Sequence, residues 1–339
     1  MKIAPTLPEV LARKRLSPGG WVSALGSLKL TLAILALLGI TVVVTYLSEA
    51  RPAWVVILPL AAAALNLAAA ITSNGVFRRR LPLLVFHLCL LALILLVLAG
   101  RLTYLKGSTE VTEGTWFEGN LTAFEAGPWH GDGYRRLRFA NRGFSIAYEA
   151  GLRRGPTRNA VSYVDGEGRP REAVIGDQTP LVMAGYRFYT SHNKGFAPTF
   201  AWLPAGGAEA IVGSVHLPAY PLHEYRQAQS WTLPGSGQEV WVQLVFEENP
   251  LDPDRAGEFR MPARHGVVVR AGEGRWEVGP GAELALPGGK LRYLGLRAWM
   301  GYTVHYDPTL PWLLAAAVAA VLALAAHYRE KFAERPWNV

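Results

Sequence analysis

One side chain in this sequence has both the type and the setting to do chemistry. His87 lies in the apolar run Leu83-Leu84-Val85-Phe86-His87-Leu88-Cys89-Leu90. It comes six residues after Leu81, where the run opens, which is roughly 9 Å along a helix at ~1.5 Å per residue. An ionisable group at that depth in hydrocarbon is costly and is by default a candidate functional residue. A neutral imidazole there can ligate iron such as that of haem. It can instead hydrogen-bond a neighbouring helix, with Asn66 of the preceding apolar run as the candidate partner, or it can relay a proton. The residues alone leave these three readings open. Cys89 lies about 200° further round a regular helix and cannot share a ligand site with His87; its role is small apolar packing.

The rest of the chain offers little catalytic chemistry. There is no Gly-x-x-x-x-Gly-Lys-Ser/Thr phosphate loop and no Gly-x-Ser-x-Gly nucleophile elbow. No Cys-x-x-Cys-His occurs, so the chain is not itself a c-type cytochrome. His216 and His223 are separated by Pro218 and Pro221, a loop-like spacing that argues against a shared metal. His130, His192, His265 and His305 are scattered and read as surface or packing residues. The carboxylates form no recognisable catalytic pair, so no catalytic residue is assigned.

The elements that must position His87 are apolar. Half of the 339 residues are hydrophobic and 18% are charged, against roughly 25% in soluble domains. Four runs are long enough to cross a bilayer, which takes about 20 residues: Leu30–Leu47, extended inward through Leu25–Lys29, then Trp54–Ile71, Leu81–Gly100 and Leu310–Ala326. Asp307 and Pro308 suit the cap and first position of the last helix. The first run starts late and has no small-residue cleavage motif after it, so it reads as a retained span rather than a signal peptide. Between the third and fourth runs, alternating stretches separated by Gly and Pro clusters predict strands over Arg138–Glu149, Leu181–Ser191, Ala197–Leu203, Ala210–His216, Glu239–Glu247 and Lys290–Met300. The fold class is therefore a membrane protein with three N-terminal and one C-terminal transmembrane α-helices and a mostly antiparallel β domain between them. The expected divisions are a tail over 1–24; three spans within 25–101, at about 25–47, 53–73 and 81–101; a β-rich extracytoplasmic domain over 102–308; a fourth span over 309–328; and a tail over 329–339.

Charge gives the expected orientation. Lys2, Arg13, Lys14, Arg15 and Lys29 precede the first span, Arg78, Arg79 and Arg80 join the second to the third, and Arg329, Lys331 and Arg335 follow the fourth. Leu102–Pro308 is nearly neutral, with 21 Lys and Arg against 22 Asp and Glu. Basic flanks mark the cytoplasmic side, so both termini are expected inside and the β domain outside. The formal net charge of +8 resides in these flanks, which excludes a nucleic-acid-binding reading.

This layout resembles that of the ResB-like family (ResB/CcsB type) of System II cytochrome c biogenesis. Leu25-Gly26-Ser27-Leu28-Lys29-Leu30, Phe86-His87-Leu88, Gly185-Tyr186-Arg187-Phe188-Tyr189 and Gly301-Tyr302-Thr303-Val304-His305-Tyr306-Asp307-Pro308 are similar to stretches of that family. The resemblance implies a bacterial cytoplasmic (inner) membrane protein with its large domain on the periplasmic side. It implies work with a ResC/CcsA-type membrane protein in moving haem b across the membrane and attaching it to apocytochrome c. The family's membrane histidine maps onto His87, which makes His87 the expected haem-iron ligand. The family partner carries the tryptophan-rich haem-handling loop, and no Trp-Gly-x-x-Trp-x-Trp-like run occurs here; this chain is then an accessory subunit of a haem-lyase complex. The alternative is a membrane-anchored sensor or scaffold with an outer β domain and no cofactor. A transporter subunit is disfavoured by only four spans and one intramembrane ionisable side chain.

The orientation is directly testable. In a Cys89→Ala background, a cysteine placed at Gly166 should react with an impermeant thiol reagent added from outside, and one placed at Arg79 should not. The reverse pattern would overturn the topology.

Overall fold

A computed structural model describes residues 18–48, 53–207, 209–219, 227–233, 236–247 and 251–333. The basic residues of the N-terminal tail before residue 18, His223 and Arg335 lie outside them. The chain divides into two compact units. One holds the helices together with residues 126–130; the other holds residues 105–125 and 131–306.

In the first unit, four helices are long and apolar enough to cross a membrane: Leu28–Leu47, Trp54–Ser73, Leu81–Thr103 and Leu310–Ala333. The first does not run inward through Leu25, as its apolar pattern predicts. A separate short helix, Pro18–Leu25, ends there, and the chain breaks at Gly26-Ser27. Ser27 Oγ caps the span by accepting from the Leu30 N–H at 3.4 Å. Gly26 touches the backbone of span two: a Cβ there would lie 2.6 Å from Ala70 N, the small-residue contact that lets membrane helices approach closely. Asn66, buried in span two, holds the same break. Its amide donates to the Leu25 and Ser27 carbonyls, and its Oδ1 accepts from Thr31 Oγ1 at 2.7 Å. Span four begins at Leu310 rather than at Pro308. Asp307 Oδ1 accepts from the Thr309 N–H and hydroxyl at 2.9 and 2.7 Å, so it caps the turn that leads in, and Pro311 takes the first-turn position. Residues 126–130 fold back on the end of span three: the N–H groups of Gly127 and Trp129 donate to the Tyr104 and Leu102 carbonyls at 2.9 and 2.8 Å.

The second unit is built from antiparallel strands in three sheets. The largest centres on two long neighbours, Tyr186–Pro204 and Gly289–Tyr306, with Leu105–Thr112 on the far side of the second. Another runs Gln227–Thr232, Glu239–Phe246, His265–Ala271, Gly274–Val278. In it the alternating Val240, Val242, Leu244, Val267 and Val269 point inward, each at most 1% exposed. The third includes Phe139–Glu149, Arg153–Val164 and Pro170–Gly176. All three contribute to one apolar core, through Phe196, Phe200 and Trp202 from the large sheet and Ile146 and Tyr148 from the third. Gly185 closes a two-residue hairpin with Ala184, both at positive φ (85° and 48°), the geometry of a primed turn. The hairpin delivers buried Tyr186 and Phe188 to the core.

A buried polar chain crosses between the sheets. The Tyr302 hydroxyl donates to Asn159 Oδ1 at 2.7 Å. Asn159 Nδ2 donates to Asn141 Oδ1 at 2.7 Å and to the Gly143 carbonyl at 2.8 Å. Asn141 Nδ2 donates to the Val111 carbonyl at 2.8 Å, and its Oδ1 accepts the Gly143 N–H at 2.9 Å. Tyr302, Asn141 and Asn159 are all 0% exposed, and burial raises the Tyr302 phenol well above its usual range, so it stays a donor. Tyr302→Phe leaves Asn159 Oδ1 buried without that donor, a cost of about 1–3 kcal/mol. The thermal midpoint of the β signal in circular dichroism of the full chain in detergent should fall. An unchanged midpoint would show that the bond contributes nothing net.

Candidate functional site

His87 stands on the Leu81–Thr103 helix, half-buried. Its Nδ1 is 2.8 Å from the Leu83 carbonyl one turn back. A carbonyl only accepts, so Nδ1 carries the hydrogen, and in the neutral ring Nε2 then presents its lone pair. Such an Nδ1–H to carbonyl bond is the usual way a ligating imidazole is fixed in tautomer and orientation. Among the described residues Nε2 has no hydrogen-bond partner. Two rings flank the imidazole: Phe86 from the same helix, at 5.3 Å between centroids and 89° between planes, and Phe77 at 4.3 Å and 51°. Phe77 comes from the short helix Gly75–Arg79, started by Asn74, whose Oδ1 accepts the Val76 N–H at 3.0 Å. Exposed Arg79 and Arg80 lie at the same end of span three.

Asn66 is not the partner of His87. Its bonds go to the break before span one, which removes the inter-helix hydrogen bond suggested by sequence. Cys89 is half-buried and free.

A second imidazole of the bundle, His327, is not singled out by the sequence because it lies one residue past the apolar run ending at Ala326. The helix continues to Ala333, and His327 Nδ1 is buried with no hydrogen-bond partner. The starting end of span four meets the finishing end of span three, where a Cβ on Gly100 would lie 3.0 Å from Thr309 Oγ1. Counting from there at ~1.5 Å per residue, His87 is roughly 20 Å away and His327 roughly 27 Å. Both imidazoles thus lie in the half of the bundle that carries the basic flanks.

The other histidines belong mostly to structural contacts. His130 Nδ1 is 2.7 Å from the Thr103 carbonyl, and His265 Nε2 is 2.9 Å from the Tyr293 hydroxyl. Burial lowers the pKa of His305, with Lys106 adding to the effect. His216 has the most elaborate setting. Its ring stacks on Trp299 at 4.6 Å and 6°, with Nδ1 2.7 Å from Glu110 Oε2 and Nε2 2.9 Å from Thr112 Oγ1. Hydroxyl, imidazole and carboxylate follow the order of a hydrolytic triad. The nearby N–H groups of Glu113, Gly114 and Thr115 are all bonded to carbonyls, so they supply no oxyanion donors, and the cluster reads as a structural tie.

Lys194 is the one lysine in the buried core of the β domain, at 2% exposure. Its Nζ donates to Thr157 Oγ1 at 2.7 Å, and Arg154 Nη2 donates to the same oxygen at 2.6 Å. Burial, reinforced by the Arg154 charge and opposed by Asp177, pushes the Lys194 ammonium down to about 8. Burial works to raise the Asp177 carboxyl, but bonds from Thr190 and the Thr157 N–H, together with both cations, hold it below its usual value. The group is a charge network between the largest and the third sheet rather than an acid–base pair. Among the described residues no cluster of three or more His, Cys, Asp or Glu can hold a metal ion.

The ResB-like family model matches residues 66–236, a little over half of the chain, and the chain belongs to the ResB-like family. The matched region holds His87 and the Gly185–Tyr189 hairpin. No curated protein matches the chain. Among solved structures, the chain is similar to "Cytochrome c Heme Lyase CcmF" at 13% identity and a TM-score of 0.25, with 90% of this chain and 37% of that one covered. This chain thus spans little more than a third of that protein's length, and a likeness at this level carries no argument.

Proposed function

We propose that this protein is a subunit of a System II cytochrome c biogenesis complex. In this reading it holds haem in its helix bundle through His87, on the way to attachment to apocytochrome c at the periplasmic face. Membership of the ResB-like family supports the pathway. The observation that carries the haem assignment is the state of His87: its Nδ1–H is satisfied by its own helix, its Nε2 has no partner among the described residues, and Phe77 and Phe86 flank the ring.

The residues present fit the substrate. Nε2 supplies an axial donor, which is the property by which histidine holds haem iron. Phe77 and Phe86 offer apolar faces for the macrocycle, and Arg79 and Arg80 place cations at the basic end of the helix, where propionates can meet them. The Leu83 carbonyl holds the ring so that Nε2 cannot turn back into the helix. Among the described residues, the His87 ring meets the Leu83 carbonyl of its own helix and the Phe77 and Phe86 rings; in this reading the bond-forming chemistry belongs to a ResC/CcsA-type partner and holding, orienting and docking to this chain. The β domain, on the outer side in this reading, presents the surface for the apocytochrome.

His87→Ala should strip most haem from the complex purified with its partner, at similar protein yield, and added imidazole should restore part of the absorbance by filling the vacated position. His87→Gln, which keeps a polar group in the span, is the control for folding. Full haem content in both variants would rule out ligation by His87.

A further inference from the structure

An open cavity of about 520 Å3 lies in the β domain, between the strand Phe139–Glu149, its neighbour Arg153–Val164 and the segment Phe259–Met261. That size falls in the ~300–1,000 Å3 range of small-molecule sites. One wall is apolar and fixed. Phe144 and Phe259 stack at 4.7 Å and 27°, and Phe259 packs on fully buried Phe196 at 5.1 Å. The Phe259 N–H donates to the Ile146 carbonyl at 2.8 Å, and Met261 completes the wall.

The rim is basic, lined by Arg142, Arg158 and Arg260. Arg142 sits in the irregularity between Asn141 and Phe144, and bulges of this kind re-aim side chains. Its Nε donates to Ser162 Oγ at 2.9 Å, which sets the guanidinium and leaves its terminal nitrogens without a protein partner among the described residues. Arg158 makes no side-chain hydrogen bond or ion pair among the described residues. The one carboxylate of the lining, Glu113, is turned to the floor. Its Oε2 accepts the Ala298 N–H at 3.2 Å, and Gly143, at φ 102°, leaves room where a Cβ would lie 2.8 Å from Oε1. Arg142 and Arg158 against one engaged glutamate is a local imbalance, because the charges of residues 102–308 otherwise nearly cancel.

We propose that this cavity binds a flat, mostly apolar molecule carrying two carboxylates, the chemistry of a porphyrin with free propionates. The aromatic wall built on Phe144 and Phe259 supplies the apolar contact, and Arg142 and Arg158, on neighbouring strands, meet the carboxylates through charge-assisted forked bonds. An acidic stretch of protein would satisfy the arginines but leave the aromatic wall uncovered. The choice of porphyrin among such molecules rests on the haem-handling reading above; the demand for carboxylates on an apolar plate does not.

The test uses the full chain in nanodiscs, carrying His87→Ala, titrated with metal-free protoporphyrin IX and read by porphyrin fluorescence. Iron ligation is then absent, so failure here leaves the His87 reading untouched, and failure of the His87 haem test leaves this cavity untouched. Saturable binding is expected. Arg158→Glu should weaken it roughly tenfold or more, the worth of one charge-assisted bond. Arg158→Lys should weaken it less, and Phe144→Ala several-fold. Arg275→Glu, at an exposed site paired with Glu277, should leave it unchanged. The dimethyl ester, which lacks free carboxylates, should not compete. Equal affinity in the parent and in Arg158→Glu, competition by the ester, absence of saturable binding, or displacement by an aspartate-rich peptide at lower concentration than by porphyrin would each overturn the proposal.

Discussion

A single buried hydroxyl, that of Tyr302, closes the polar chain on which the arrangement of the β domain depends. Tyr302 belongs to the long strand of the largest sheet, Asn159 and Asn141 to the third sheet, and Val111 to the strand that follows span three. Buried amides are tolerated only when their donors and acceptors are met, so the sheets must dock in the one register that satisfies all of them. The same asparagines hold both the N–H and the carbonyl of Gly143, and so fix the irregular turn of strand that presents Arg142 and Phe144 to the cavity. The stretch Gly301–Pro308 thus has a physical reason for its composition. Gly301 is needed because a Cβ there would lie 2.6 Å from the Asn193 carbonyl, and Tyr302 supplies the donor.

The helical unit rests on a comparable economy of polar groups. In hydrocarbon there is no water to satisfy a freed backbone carbonyl. At the break at Gly26-Ser27 the Asn66 amide meets the Leu25 carbonyl and shares that of Ser27, which also accepts the Thr31 N–H. His87 satisfies one of its own nitrogens on its own helix, and so it can offer the other without leaving a buried donor unmet. That difference separates two polar residues which composition alone treats alike: Asn66 is fully engaged in structure, and His87 has one nitrogen to spare.

Much of this was legible in the sequence, and the failures have physical causes. Twenty-residue apolar runs report spans whatever their neighbours do, so all four were readable. Alternation located Phe139–Glu149 and Glu239–Phe246 because large apolar residues point inward there. Leu105–Thr112 was passed over because several of its inward positions are Gly107 and Thr109, small or polar residues satisfied by neighbours. Tyr186–Pro204 is one strand where alternation gives Leu181–Ser191 and Ala197–Leu203, because polar His192-Asn193-Lys194 interrupts the pattern; Lys194 is buried and bonded to Thr157 of the third sheet. The role of Asn66 was misjudged, since hydrogen-bond partners between helices depend on packing that periodicity does not encode. His87 was visible by depth alone, but its tautomer and its aromatic flanks required coordinates. The arginine-rimmed cavity was invisible, because Arg142, Arg158 and Arg260 come together only through strand pairing and a bulge.

The chain joins a helix bundle that holds His87 to a β domain whose register is set by buried polar bonds. The proposed division of labour is that this chain presents haem and its partner attaches it. The most direct measurement is holocytochrome c formation in a host stripped of its own maturation proteins, supplied with this chain, a ResC/CcsA-type partner, or both. The account predicts covalent haem, read by haem stain on a denaturing gel, only when both are present. Equal holocytochrome from the partner alone, or robust attachment by this chain alone, would contradict it.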